Sequence, residues 1–247
     1  MTYCLGIFSK EGVAGLADTR ITSGNDTTVA KKIFTVNREK HAMFIMTSGL
    51  RSVRDKAITY FSEMIEEEDE KFDKLYKAVN KLGEQVKRVY REDQDSLEKA
   101  GMNFNLFAIV GGQLEKDTNP KLYLLYPQGN WIEIGTGTPY VIIGNTGFGN
   151  PILKRSFSYE SSIEFGLKAG FLSFDATRIS SNDVDYPIDT VVLRKDEFNP
   201  IEHRYEEKDL GHISDFWEQK LTDAIDKLPA IALRKSLLEE EEKINII

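Results

Sequence analysis

Cysteine is almost missing from this chain: Cys4 is the only one in 247 residues. No disulfide can close within one copy, and no thiolate zinc cluster can be built from it. Basic residues are outnumbered, with 32 Lys and Arg against 40 Asp and Glu and a formal net charge of −8. That balance argues against a general nucleic-acid binder, which needs a basic face to displace phosphate counterions. It leaves room for a local basic patch. Long apolar runs are lacking too, and nothing approaches the roughly 20 residues that span a bilayer. The N-terminus has neither the basic region nor the long apolar region of a secretory signal. The cytoplasm is the expected compartment. The three histidines, His41, His203 and His212, are scattered without metal-ligand spacing and read as surface or cap residues. Gly144-Asn145-Thr146-Gly147-Phe148-Gly149 is the nearest approach to a phosphate loop. It lacks the Lys-Ser/Thr ending of one type and the spacing of the other.

What remains is an ordinary globular composition, 40% hydrophobic and 29% charged, enough for one sizeable core. Thr2 to Phe8 and Val13 to Thr19 read as a hairpin across Lys10-Glu11-Gly12. Ile21 to Ala30 is polar, with a turn at Gly24-Asn25-Asp26. Ile33 to Val36 and Ala42 to Thr47 read as two more strands, closed by Ser48-Gly49.

The period then changes. Val53, Ala57, Tyr60, Phe61, Met64 and Ile65 recur at helical spacing. The acidic run Glu66 to Glu70 marks a solvated break. Phe72 to Tyr90 gives a second, longer amphipathic helix.

Strands resume at Asn105 to Val110, Leu122 to Tyr126, Trp131 to Ile134 and Tyr140 to Ile143. Leu153 to Phe174 fits helices, Ile188 to Leu193 a strand, and the tail from Lys208 more helix. Short turns join most strands, and the helices come in blocks, which excludes an alternating βα parallel sheet. The expected fold is α+β: a four-layer αββα sandwich of two stacked, mainly antiparallel sheets flanked by helix layers. One domain over residues 1–247 is expected, with a helical C-terminal extension from about 208.

Thr2 directly follows the initiator methionine and opens the first strand. Removal of Met1 would put a hydroxyl nucleophile and a free α-amine on one residue. An α-amine has a pKa of about 7.7–8.0, so near pH 7 it can serve as the base that a Thr hydroxyl needs. Three further segments stand out: Gly15-Leu16-Ala17-Asp18-Thr19-Arg20, Lys32-Ile33-Phe34 and Thr47-Ser48-Gly49. Each has an ordinary structural reading. Asp18 could cap a turn, the pair Lys31-Lys32 could be solvated, and Gly49 could simply end a strand. Neighbours on a strand face opposite sides, so only one of the two lysines can point inward. Cys4 shares a sheet face with Thr2 and reads as a small core residue. Arg20 reads as a structural partner for a carboxylate.

Together, in this order and spacing, the four segments resemble a proteasome β-subunit, one of the N-terminal-nucleophile (Ntn) threonine peptidases. The Met1-Thr2-Tyr3-Cys4 start, the Gly144 to Pro151 turn, the Pro187-Ile188-Asp189 segment and the helical tail are similar to the bacterial proteasome-like subgroup called Anbu. The resemblance implies an Ntn-hydrolase fold with no cofactor and no metal. It implies that Thr2 Oγ attacks a carbonyl and that the Thr2 amine moves the proton. It selects Lys32 to stabilise the alkoxide, Asp18 to hold that lysine charged, and the Gly49 N–H to donate to the oxyanion. A glycine suits that last place because backbone must approach substrate closely.

The family's serine in the Gly-rich turn is replaced by Asn145 and Thr146, and its later Arg-Asp and Ser-Gly segment by Ser180-Ser181-Asn182-Asp183. Asn145, Thr146, Ser181 and Asp183 are therefore the candidate amine-orienting residues. Pocket side chains are expected near Thr22, Met46 and Thr47.

The leading expectation is a peptidase acting on peptides or unfolded protein within a homo-oligomeric ring or open spiral, where an ATP-dependent unfoldase is a conceivable partner. An Ntn amidase acting on a small amide and a catalytically silent scaffold subunit are the alternatives.

Overall fold

The computed structural model describes residues 2–23, 26–68 and 72–229. Its strands and helices run in the order strands, two helices, strands, two helices, strands, helix. The chain divides into two units, Met1–Leu210 and Gly211–Ile247.

In the first unit, β1 (Tyr3–Ser9) and β2 (Gly12–Asp18) form the expected hairpin. β3 (Arg20–Ser23) and β4 (Asp26–Val29) form a second, small one where the sequence suggested only a polar turn region. β5 (Ile33–Arg38) and β6 (His41–Gly49) lead into α1 (Arg51–Glu68) and α2 (Leu75–Lys99). The acidic break expected at Glu66 to Glu70 begins too early: α1 continues to Glu68, and the rest of that run lies outside the described residues. The second helix starts later than expected. Phe72 is buried ahead of it, and Asp117 Oδ2 accepts the N–H of Leu75 at 2.8 Å, satisfying one free donor of the first turn.

Then come β7 (Leu106–Leu114), β8 (Lys121–Leu125), β9 (Trp131–Glu133), β10 (Tyr140–Gly144), α3 (Asn150–Ser156) and α4 (Ile163–Arg178). β11 (Ile188–Arg194) and β12 (Ile201–Tyr205) close the unit's sheets. The final described helix, α5, spans Glu207–Asp226. The part of the expected helical tail from 230 onward lies outside the described residues.

Two five-stranded sheets result, ordered β10-β1-β2-β11-β12 and β5-β6-β7-β8-β9, and every pairing in them is antiparallel. β1 and β2 are buried at all seven positions of each strand, so both faces of the first sheet are covered. Strand alternation sorts the side chains. Cys4, Phe8, Val13 and Ala17 face Phe44, Met46, Ile109 and Leu122 of the second sheet. The other face of the second sheet packs Met43, Ile45, Ala108 and Val110 against Val53, Phe61, Leu82 and Val86 of α1 and α2. Over the first sheet lies α4: a Cβ on Gly170 would come within 3.1 Å of both Leu5 and Leu16. Tyr3 meets Phe174 edge-on at 6.0 Å and donates its hydroxyl to Ser173 Oγ at 2.6 Å. The architecture is the expected four-layer αββα sandwich. Full burial of each large apolar side chain contributes about 1.5–3 kcal/mol, and the inter-sheet layer and the α1/α2 layer together form the core.

Candidate active site

The residue before β1, the starts of β3, β7 and α1, the ends of β6 and β10, and the residue before β5 meet around a cleft of about 370 Å³. Thr2, Lys32, Gly49 and Gly144 all line it. β1 and β2 run as an antiparallel hairpin, so the residue entering β1 comes beside the residue ending β2. The Tyr3 N–H donates to Asp18 Oδ1 at 2.8 Å. The same oxygen accepts Lys32 Nζ at 2.6 Å, and Lys32 Nζ also donates to the Arg20 carbonyl at 2.7 Å. Neither side chain of the pair is open to solvent, at 0% exposure for Asp18 and 3% for Lys32. Burial pushes the Asp18 carboxyl above its ordinary value, against the opposing pull of the Lys32 charge and of hydrogen bonds from Lys32 and the Tyr3 and Arg20 backbones. Asp18 Oδ2 is buried without a hydrogen-bond partner, which adds to that cost.

The lysine pair divides as strand geometry requires. Lys31 is half exposed and pairs with Glu202, while Lys32 turns inward. The corner after β2 is pinned by Thr19, whose N–H and Oγ1–H both donate to the Pro187 carbonyl, at 3.1 and 2.8 Å. Arg20 follows and pairs through Nη1 with Asp185 Oδ2 at 2.9 Å, the structural role expected of it.

The sequence profile described as "Proteasome subunit" matches residues 2–184. The chain belongs to the proteasome subunit family. Among solved structures, this proteasome-family chain is similar to an Anbu (Gly-1) mutant from Hyphomicrobium sp. strain MC1, at 26% identity and a TM-score of 0.86 over 93% of this chain and 98% of that one. A helical assembly of the Anbu complex from Pseudomonas aeruginosa matches at 26% identity and a TM-score of 0.83, over 92% and 97% of the two chains. Anbu (ancestral beta-subunit) from Yersinia bercovieri, at 24% identity and a TM-score of 0.85 over 92% and 97%, shares the fold. No curated protein matches the sequence.

Several residues expected at the site are not among those lining the cleft. The Gly-rich turn meets Thr2 through backbone: the Asn145 N–H donates to the Thr2 carbonyl at 2.7 Å. Gly144 approaches closest, with φ +88°, and a Cβ there would lie 1.9 Å from Thr2 O. The Asn145 side chain is half-buried and Thr146 is exposed, and neither lines the cleft. Ser181 and Asp183 sit in the turn after α4, where the Val184 N–H donates to Ser181 O at 3.3 Å and Val184 is buried; they do not line the cleft either. The residue of that segment that reaches the site's edge is Asp185, through Arg20.

Gly49 has φ +137°, and a Cβ on it would meet the Asn105 carbonyl at 2.0 Å. The glycine is thus demanded by the close approach of the chain entering β7 as well as by any need for room above the backbone. Met46 alternates into the inter-sheet core and does not line the cleft, whereas Thr47 does; the side chain of Thr22 lies outside the described residues. Cys4 is fully buried, its thiol donating weakly to Thr47 O at 3.8 Å, and burial pushes that thiol far up, away from the nucleophilic thiolate.

The sequence reading missed Arg51 and Arg54, which also line the cleft. Their signal was present: two arginines three residues apart, two and five positions after Gly49, fall on one face of a helix's first turn. No described helix is long and apolar enough to cross a membrane.

Proposed function

We propose that this chain is a threonine-type hydrolase of peptide bonds, with Thr2 as nucleophile once Met1 is removed. The observation that carries the reading is the buried Asp18–Lys32 pair, with Lys32 in the wall of the same cleft as Thr2. A buried ion pair is weak evidence for stability, because desolvation offsets its attraction. One that borders a cleft beside an N-terminal hydroxyl has a chemical use.

In this reading Thr2 Oγ attacks the scissile carbonyl carbon and forms an ester with the acyl half of the substrate. The Thr2 α-amine takes the hydroxyl proton and returns it to the leaving amine. Water then hydrolyses the ester and regenerates Thr2. The Lys32 ammonium stabilises the developing alkoxide, and Asp18 fixes the position of Nζ from the opposite side. The Gly49 N–H is the candidate oxyanion donor, a contact worth about 2.7–4 kcal/mol in another hydrolase. Tyr3 contributes through its main chain: by donating to Asp18 it ties the first strand to the same carboxylate that positions the lysine.

The related Anbu complex forms a helical assembly, and homo-oligomerisation with the clefts facing an enclosed space is the corresponding reading for this chain. Peptides and unfolded segments are then the substrates. The test is hydrolysis of fluorogenic peptides by Met1-free protein, set against Met1-retaining protein and Thr2→Ala. Activity confined to the Met1-free parent supports the reading. Equal activity in Thr2→Ala removes it.

A further inference from the structure

A second recess, of about 270 Å³, adjoins the cleft and shares Lys32, Thr47 and Arg54 with it. Charge on the cleft wall is one-sided. Arg20, Lys32, Arg51 and Arg54 line it, and among the described lining residues none is acidic. This opposes the composition of the chain, in which acids outnumber bases 40 to 32. It also opposes helix electrostatics. Arg51 and Arg54 occupy the first turn of α1, which holds no acid, and the positive end of the helix dipole disfavours cations there.

The counter-charges are few: Asp18 is buried behind Lys32, Asp185 pairs with Arg20, and the half-exposed Asp55, which lines the recess, pairs with both Arg54 and Arg51. They leave donors unused. Arg54 Nη2 and Nε both reach a single oxygen, Asp55 Oδ1, at 2.6 and 2.8 Å. A guanidinium carries five N–H donors, so three remain. Thr47 is 5% exposed, and its Oγ1 is buried with no hydrogen-bond partner. A buried hydroxyl of this kind is costly unless something satisfies it.

We infer that the wall shared by cleft and recess takes the carboxylate of an acidic substrate side chain, Asp or Glu, on the Arg54 guanidinium and the Thr47 hydroxyl. The place of that side chain beside the scissile bond rests on the peptide-hydrolase reading above. Arginine offers donors and no acceptor, so its partner must accept. Charge then separates a carboxylate from an amide of the same shape, and a lysine side chain would face the four cations of the cleft, with Asp55 the acid among the described lining residues of the recess.

The test uses acetylated peptides with C-terminal amides, identical except for Glu, Gln or Lys at one position, so that no end-group carboxylate competes. Equilibrium binding to the full-length, Met1-free protein is read by competition against a fluorescein-labelled Glu peptide. Covalent labelling of Thr2 by the matching peptide epoxyketones is read by intact mass. The Glu peptide should bind about tenfold tighter than Gln, the size of one charge-assisted hydrogen bond, with Lys weakest. Arg54→Gln and Thr47→Val should each bring the Glu-to-Gln ratio toward one, and added salt should shrink it in the parent. Equal binding of Glu and Gln, or a preference for Lys, overturns the inference. So does an unchanged ratio in both variants when circular dichroism shows them folded. Selective Glu binding without any epoxyketone labelling would instead overturn the peptidase reading and leave acidic recognition standing.

Discussion

The backbone N–H of Tyr3 lies 2.8 Å from Oδ1 of Asp18, the oxygen that also holds Lys32. One carboxylate oxygen thereby links the first strand, which follows Thr2, to the Lys32 side chain. Asp18→Asn can keep an acceptor for the Tyr3 N–H, but it removes the charge facing Lys32. The proposal expects that variant to fold and to lose about a hundredfold or more in kcat/KM, the scale of a positioned proton-handling arrangement. Peptide hydrolysis measured beside a far-UV spectrum checks both halves.

Lys32→Met leaves Asp18 buried and without its ion partner. Breaking such a pair from one side costs about 3–5 kcal/mol at neutral pH. The sign with pH follows from Asp18, whose carboxyl already sits above 3.8 in the parent through burial, before the Lys32 charge that opposes the shift is removed. The folded variant therefore binds a proton more tightly than the unfolded chain does. Its deficit is full above the raised value and shrinks as pH falls toward 3.8. Urea unfolding of parent and variant at neutral and at mildly acidic pH should show the gap narrowing. A gap that widens on acidification contradicts the placement.

Gly144→Ala tests the close approach of the Gly-rich turn to Thr2. Its φ of +88° disfavours a side chain, and the new Cβ would fall 1.9 Å from Thr2 O. Backbone strain alone costs about 1–3 kcal/mol, and relief of the clash must move Thr2 or the turn. Lowered thermal stability together with lost hydrolysis is expected. Unchanged values of both would mean that this contact does not hold Thr2.

Much of this was legible in the sequence because strand alternation and helical period are written in apolar residues. β1, β2 and β6 fell within two residues of where their patterns put them, whereas α2 begins at Leu75 and runs on to Lys99, past the expected Tyr90. The elements that escaped have little apolar signal. β12 carries Glu202, His203 and Arg204 on an exposed edge, and β3–β4 is a polar hairpin, so burial marks neither. At the cleft, Asp18 and Lys32 were picked out by the family resemblance, and the β1–β2 hairpin together with the position of Lys32 just before β5 shows how residues far apart in the chain come together beside Thr2. Asn145, Thr146, Ser181 and Asp183 were chosen by position in a pattern that this chain has replaced. Turn geometry decides where such side chains go: Gly144 brings main chain rather than a side chain to Thr2. Thr47 was expected near the pocket, and the spacing of Arg51 and Arg54 placed them on one helix face; that this face borders the cleft is set by the packing of α1 beside β6, which no local spacing specifies.

Covalent trapping asks whether the Thr2 hydroxyl attacks an electrophile once Met1 is gone. Met1-free protein is treated with a peptide epoxyketone, digested, and its N-terminal peptide weighed. The account predicts one inhibitor mass on the peptide that begins at Thr2, and none in Thr2→Ala or in protein that keeps Met1. An unmodified Thr2 peptide from folded, Met1-free protein at saturating reagent, or equal modification of the Thr2→Ala variant, would contradict it.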